Sequence, residues 1–307
     1  MDGVLVVDKP QGPTSHDVVA AVRRIAHTRR IGHTGTLDPL ATGVLALVIG
    51  RATRLAALLS GSIKDYLAEV RLGASTATYD AEARFARDAA TGRFVMVEPP
   101  PPEPAGMSRL GVQQALADFS GTYLQVPPRY SAKKIQGVRS YKRARRDEGA
   151  APRPVQVTAY AVMLEHYAAG LARVRLLCSP GFYVRSFAHD LGERLGCGAH
   201  LESLRRTRSG DFTLSQSIPL DRLEREGMPA AKLIPLEHLM PELPGAMLNE
   251  RGTKRASHGN ALGPADLAGL RGDTDSTQVR LLDRAGMLLG VARRGDDGLL
   301  HPFIVLV

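Results

Sequence analysis

The sequence contains no tryptophan, and only seven phenylalanines and eight tyrosines among 307 residues. Its core therefore has to be built from Leu, Val, Ala and Ile, and aromatic surfaces are confined to a few positions. Two cysteines, Cys178 and Cys197, are too few for a disulfide framework and are expected as buried free thiols in a reducing compartment. With His189 and His200 they lack the paired spacing of a zinc site, so no metal is expected. No apolar run reaches the ~18 residues a membrane span needs. The opening M-D-G-V-L-V-V-D-K-P has neither the basic start nor the long apolar stretch of a signal peptide. A soluble, cytoplasmic protein is the expectation.

Several chemistries lack their motifs. G-H-T-G-T at Gly32–Thr36 does not continue into the Gly-Lys-Ser/Thr ending of a phosphate loop. There is no G-x-G-x-x-G after a strand for a dinucleotide and no G-x-S-x-G nucleophile elbow. No nucleotide or other cofactor is expected.

Positive charge is what the chain has in excess: 40 Lys plus Arg against 31 Asp plus Glu, a net +9. A polyanionic partner, by default a nucleic acid, fits that balance. Only seven of the forty basic residues are lysine; arginine suits forked contacts to phosphate. Most of the excess lies in Pro127–Pro154, where Arg129, Lys133, Lys134, Arg139, Lys142, Arg143, Arg145, Arg146 and Arg153 face only Asp147 and Glu148. Tyr130 and Tyr141 are interleaved with them. Such a segment reads either as a solvated charged loop or as an arm that grips a phosphate backbone; charge density with interleaved aromatics favours the arm. Arg205, Arg206 and Arg208 form a second basic cluster.

Periodicity gives a strand at Val4–Val7, a helix with Ser15 as N-cap running to about Thr28, a Gly- and Thr-rich loop over Gly32–Thr42, and a buried strand at Val44–Ile49. Within the loop Pro39 biases Asp38 away from helical dihedrals. A carboxylate on an irregular loop pinned to a core strand is a common location for chemistry. A short helix at Thr53–Leu59 follows, then an alternating strand at Lys64–Leu72 with Tyr66, Ala68, Val70 and Leu72 on one face. Further on come a helix at Leu110–Phe119, paired strands at Val155–Leu164 and Leu171–Cys178, and a helix at Tyr183–Leu195. Beyond about residue 230 the pattern becomes β-rich, with strands at Val279–Leu282 and Leu288–Arg293 joined by an Arg284–Gly286 turn, and a last strand at Phe303–Val307. Residue patterns alone reach only this far: a nucleic-acid-binding protein, with the option of an enzyme that uses no cofactor.

Longer motifs go further. Gly32–Leu45, G-H-T-G-T-L-D-P-L-A-T-G-V-L, resembles the catalytic loop of the TruB family of pseudouridine synthases. So, in the same order, do D-K-P-Q-G-P-T-S at Asp8–Ser15, P-P-R-Y-S-A-K-K-I-Q-G at Pro127–Gly137, C-S-P-G-F-Y-V-R-S at Cys178–Ser186, L-G-C-G-A-H-L at Leu195–Leu201 and L-R-R-T-R at Leu204–Arg208. These matches cover nearly all of residues 1–220. One departure stands out: where the family often has T-D-T-x-D, this chain has T-A-T-Y-D, with Ala77 at the first Asp position and Asp80 at the second.

The resemblance implies an α+β fold, a mixed and mainly antiparallel sheet of the pseudouridine synthase type with flanking helices. A catalytic domain over residues 1–230 would include the basic insertion 127–154, and residues 231–307 would form a small β-rich PUA-like RNA-binding domain. The implied activity is isomerisation of a T-loop uridine of tRNA, without cofactor, by a monomer. Asp38 would be the catalytic carboxylate, nucleophile or base at the sugar, with Arg185 pairing to it and Tyr66 stacking on the base and handling the C5 proton. Tyr183 and Leu204 would line the uracil pocket, His33 would wedge into the RNA, Lys9 would support the loop, and Asp80 would be a second carboxylate behind it. Arg129, Lys133, Lys134, Arg139, Lys142, Arg143, Arg205 and Arg206 would hold RNA. The alternatives are a guide-dependent RNA pseudouridine synthase and a non-catalytic tRNA-binding or folding chaperone.

Overall fold

The computed structural model describes residues 1–87, 94–96, 99, 101–128, 134–135, 138–139, 152–273 and 276–306. Its centre is an 11-stranded sheet. Along the chain the main strands are β1 (Gly3–Lys9), β2 (Ile31–His33), β3 (Thr42–Ile49), β4 (Lys64–Leu72), β5 (Gly121–Gln125), β6 (Val155–Ala168), β7 (Leu171–Cys178) and β8 (Ala199–Ser209). Across the sheet the order is Ile218–Pro219, β1, β3, β8, β4, β7, β6, β5, with β2 added to β3. Pairing is antiparallel except at Ile218–Pro219 with β1 and at β3 with β8. The mixed, mainly antiparallel sheet expected from the sequence is therefore present.

β1 and β3 show why the sheet is covered on both faces. Leu5, Val7, Leu45, Leu47 and Ile49 enter one core cluster, while Val4, Val6, Val44, Ala46 and Val48 enter the other. A strand buried on both sides reads as a continuous apolar run rather than an alternation. On the first face lie α1 (Ser15–Ile25), α3 (Arg109–Ala117) and α4 (Val184–Leu195), while the short α2 (Ala56–Ser60) packs on the other. α4 buries Val184, Phe187, Ala188 and Leu191; each large side chain so buried contributes about 1.5–3 kcal/mol. At Gly192 a Cβ would stand 2.0 Å from the Ala199 backbone nitrogen, so only glycine lets α4 lie this close to the start of β8.

The second face is covered by the C-terminal part of the chain. Its five-stranded sheet has the order Leu267–Arg271, Gly245–Leu248, Gln278–Leu282, Leu288–Arg294, Leu300–Val305. Leu282, Leu288, Val291 and Leu306 share a core with Val4, Val6 and Val48. Leu233–Ile234 pairs with β1 and so belongs to the large sheet, and the second sheet begins at Gly245. The expected turn is present: Asp283 N donates to Met287 O at 3.0 Å. Among the described residues no helix is long and apolar enough to cross a membrane.

Three sequence expectations are corrected. The N-cap of α1 is Thr14, not Ser15: Thr14 Oγ1 accepts from Asp17 N and Asp17 returns the bond to Thr14 N, a capping box. α1 ends at Ile25, three residues before Thr28. β6 runs on to Ala168, past the expected Leu164, with two register shifts that break its alternation.

Candidate active site

Residues 34–41 leave β2 and enter β3 as an irregular loop that depends on its neighbours for shape. The turn Asp38–Ala41 closes on a bond from Ala41 N to Asp38 O of 3.0 Å, with Pro39 at the second position where its fixed φ fits. Ser15, freed from capping, braces the loop from α1: its hydroxyl donates to Leu37 O at 3.0 Å and accepts from Leu37 N at 2.8 Å. The fully buried Lys9 donates its ammonium to Pro10 O, Pro39 O and Ala41 O at 3.0, 3.3 and 2.7 Å. Burial pulls that ammonium from the usual 10.5 down to about 8, against the attraction of Asp38 and Glu82. Glu82 Oε1 accepts from Leu40 N at 3.2 Å.

Arg206, expected on the RNA-gripping surface, is a correction. It is 2% exposed, donating Nε to Val44 O at 2.7 Å and Nη2 to Gly35 O at 2.9 Å. It thus ties the first residues of the loop to β3. It reaches them because β3 and β8 run parallel side by side, paired at Arg205–Thr42 and Arg206–Gly43. Gly43, at φ +100°, lies so close that a Cβ would stand 2.2 Å from Arg206 O. The neighbouring Arg205 forks onto Asp8 at 2.8 and 3.1 Å, so its guanidinium already has an acidic partner.

Held this way, Asp38 lies at a cleft of about 280 Å3 lined also by Tyr66, Lys64, Phe182, Tyr183, Arg185, Leu204 and Arg206. Its side chain is 40% exposed, and its Oδ2 is 2.9 Å from Arg185 Nε. Arg185 comes from the first turn of α4, where the helix dipole disfavours a cation. Carboxylates offset this: Asp80 Oδ2 lies 3.5 Å from Nη1, which also donates to Thr78 O at 3.2 Å. Asp80 is almost fully buried and accepts from Thr78 Oγ1 and Glu82 N. Burial pushes Asp80 up and outweighs the pull of Arg185. Glu82 is pushed up as well, by burial and then by Asp80 and Asp38.

Tyr66 projects from β4 at the floor of the cleft, 9% exposed, and burial raises its phenol, so the hydroxyl keeps its proton. Lys64, one alternation earlier, donates to Ser60 O and Ser62 O and is pulled down to about 8 by burial. Tyr183 and Leu204 stand in the wall. His33 lies on the loop's shoulder, Nδ1 accepting from Gly35 N at 3.3 Å and its ring edge-on to His16. Burial, then the charges of His16 and Arg206, lower its pKa.

Of the residues expected from the sequence, Asp38, Tyr66, Arg185, Tyr183 and Leu204 meet at one cleft, with Lys9 and Asp80 directly behind it. Lys134 and Arg139 lie in two paired two-residue strands. Arg129, Lys133, Lys142 and Arg143 lie outside the described residues. Sequence reasoning missed Ser15 as a brace, Glu82, Lys64 and Gln125. The last is fully buried, and its amide holds both Tyr183 N and Tyr183 O at 2.8 and 3.0 Å. Lys64 left a signal: it shares the inward face of a strand with Tyr66 and Ala68, where a cation needs a reason.

Lys9 gives a direct test of the loop's bracing. Lys9→Met keeps the length and removes the donor from Ala41 O. Misplacing Asp38 is expected to lower turnover about tenfold. The stability cost is about 1–3 kcal/mol or less, since a stranded carbonyl is partly offset by no longer burying an ammonium. Turnover beside a thermal melt checks it.

Known proteins resemble this chain along its whole length. Residues 23–184 match the N-terminal domain of the TruB family pseudouridylate synthases, and residues 185–240 match the tRNA pseudouridylate synthase B C-terminal domain. The tRNA pseudouridine synthase B of Solibacter usitatus is 42% identical over 310 residues, covering the whole of both chains. That of Burkholderia mallei is 38% identical over 304 residues, covering 98% of this chain and 96% of the relative. Among solved structures, a Cbf5-Nop10-Gar1 complex contains a chain that superposes with a TM-score of 0.73 at 24% identity, over 99% of this chain and 85% of that one; at that identity the likeness concerns the fold. On the family models and on relatives that align from end to end, the chain belongs to the TruB family of pseudouridylate synthases.

Proposed function

We propose that this protein isomerises a T-loop uridine of tRNA to pseudouridine, with Asp38 as the reacting carboxylate. One observation supports the reading above the others: Asp38 stands at the mouth of a cleft, on a loop braced from three elements, with Arg185 on one of its oxygens and Tyr66 on the floor. The names of the relatives that align over the whole chain point to tRNA as the substrate.

In the reaction the N1–C1′ bond of the uridine breaks, the uracil turns in the cleft, and C5 bonds to C1′. C5 then loses its proton and N1 carries one, so substrate and product are isomers. Asp38 delivers its carboxylate to the ribose side of the bond. Arg185 leaves it one orientation, which converts a loose encounter into a positioned one. Tyr66 offers a ring face to the uracil and a protonated hydroxyl near C5, while Tyr183 and Leu204 enclose the base. A base inside a folded loop has to be extruded first, at about a few kcal/mol. Phosphate contacts from the basic segment 127–154 and from the PUA-like C-terminal unit supply that energy, with His33 filling the space the base leaves.

The test is pseudouridine mapping on an unmodified tRNA transcript with the purified chain alone. Conversion confined to the T loop is the expected result. A chain that binds the transcript but leaves every uridine unchanged, and modifies only when a guide RNA is added, overturns it.

A further inference from the structure

In the stretch T-A-T-Y-D, at the position the family leaves variable, Tyr79 lays its ring flat on His189, with centroids 3.9 Å apart and planes 7° apart. His189 is one turn beyond Arg185 on α4, so the two side chains leave the same helix face. Its Nδ1 is 2.7 Å from Ser75 Oγ, and Ser75 also donates to Ala199 O. Tyr79 itself is held at φ +62°, a conformation that L residues adopt at a cost and that persists when the surroundings over-determine it. Here the surroundings are Thr76 O, which accepts from Tyr79 N, and Leu201 N, which donates to Tyr79 O.

The turn that carries this strained tyrosine is the one that holds Arg185. Thr78 O and the Asp80 carboxylate, the residues on either side of Tyr79, are the partners of Arg185 Nη1. The turn is thus fixed to α4 by polar contacts at Arg185 and by a ring stack one helical turn away at His189, whose Nδ1 also meets Ser75 just before the turn. Neither Tyr79 nor His189 is among the residues that line the cleft, so neither touches the reacting base. Leu201 N holds the turn to β8 through Tyr79 O, while the polar contacts to α4 run through the far end of the long Arg185 side chain. The stack fixes the distance between turn and helix, leaving the guanidinium with its Nε toward Asp38 and its Nη1 toward Asp80.

We propose that the Tyr79–His189 stack is a positioning pair for the isomerisation, holding the Thr76–Asp80 turn on α4 so that Arg185 presents Asp38 in its reactive orientation. The proposal rests on the function given above. It is tested on the full-length protein with tRNA transcript, measuring kcat, KM and melting temperature for wild type, Tyr79→Gly, Tyr79→Phe, His189→Ala and His189→Phe. Tyr79→Gly removes the ring and also the backbone strain, so its melting temperature should stay close to wild type.

Expected are a drop in kcat of about tenfold at unchanged KM for Tyr79→Gly and His189→Ala, and near-complete recovery in both Phe variants, which keep a ring to stack. The positioning role is overturned if Tyr79→Gly and His189→Ala retain wild-type kcat, or if the Phe variants are as slow as the variants without a ring. It is also overturned if kcat falls only in step with lost folded protein. A wild type that converts no uridine overturns the functional reading itself, and the role of the pair with it.

Discussion

Asp38→Asn is expected to convert no measurable uridine, a loss on the order of 10^4-fold or more in kcat, while binding the same tRNA transcript as tightly as wild type. The change keeps the side chain's shape and its place on the loop, since the Asp38–Ala41 turn and the Lys9, Ser15 and Arg206 contacts all act on backbone atoms. What it removes is the charge and the nucleophilic or basic oxygen. Single deletions of a reacting group in other enzymes cost about 10^4 to 10^6 in turnover, and nothing else at this cleft can replace the group. Asp80 is buried behind Arg185, and Glu82 is spent on the Leu40 backbone. RNA affinity should hold, because it rests mainly on phosphate contacts. Conversion by the variant at one-tenth of the wild-type rate or faster would show that the reacting carboxylate is elsewhere.

That the loop carrying Asp38 stands out in the sequence follows from how it is built. A loop with little regular structure depends on particular residues for its shape, so Gly32–Leu45 is written in a long, specific string. Tyr66 and Arg185, which meet Asp38 at the cleft, lie in similar strings. Strands β1, β3 and β4 were legible for another reason: each is buried evenly, on two faces or on one, and so keeps a clean pattern. β8 was not. Its register shifts between Leu201 and Ser203 and again between Arg206 and Arg208, and each shift reverses the alternation. Its A-H-L-E-S-L-R-R-T-R-S therefore looks like a basic surface segment.

The same break explains the misplacement of Arg206. A buried arginine and an exposed one are the same letter, and only the parallel pairing with β3, between residues more than 160 positions apart, puts this one inside. Ser15 and Gln125 were missed on similar grounds. Their partners are backbone atoms of Leu37 and Tyr183, and a backbone carries no sequence signal. At Thr14–Ser15, two adjacent hydroxyls compete for one capping role. The Asp three residues after Thr14 decides it, closing a box that the hydroxyl of Ser15 cannot close.

Arg185→Met should cost both stability and activity, and the two losses can be separated. Arg185 is 9% and Asp80 2% exposed at the side chain, and they lie 3.5 Å apart. Removing one partner of a buried ion pair typically costs about 3–5 kcal/mol, because the other is stranded without water. Thr78 and the Glu82 amide would still donate to Asp80, which places the expected loss at the lower end, about 3 kcal/mol by urea denaturation. The loss should depend on pH. Asp80 is already raised in the fold by burial, and without Arg185 it rises further. The folded protein then holds that proton more tightly than the unfolded chain. Stability is therefore lost as pH climbs from the ordinary carboxylate value through the raised one, and the deficit against wild type is smaller in mild acid than above neutrality. Turnover should fall about 10^2- to 10^3-fold, as Asp38 loses the ion pair that orients it. Arg185→Lys should rescue little of this, since a single ammonium cannot serve Asp38, Asp80 and Thr78 O in the directions a fork reaches. The double variant Arg185→Met/Asp80→Asn distinguishes the two effects. With the stranded charge gone, most of the stability returns and its pH dependence flattens, yet turnover stays low because Asp38 is still unoriented. Recovery of turnover along with stability would mean that Arg185 serves only to neutralise Asp80.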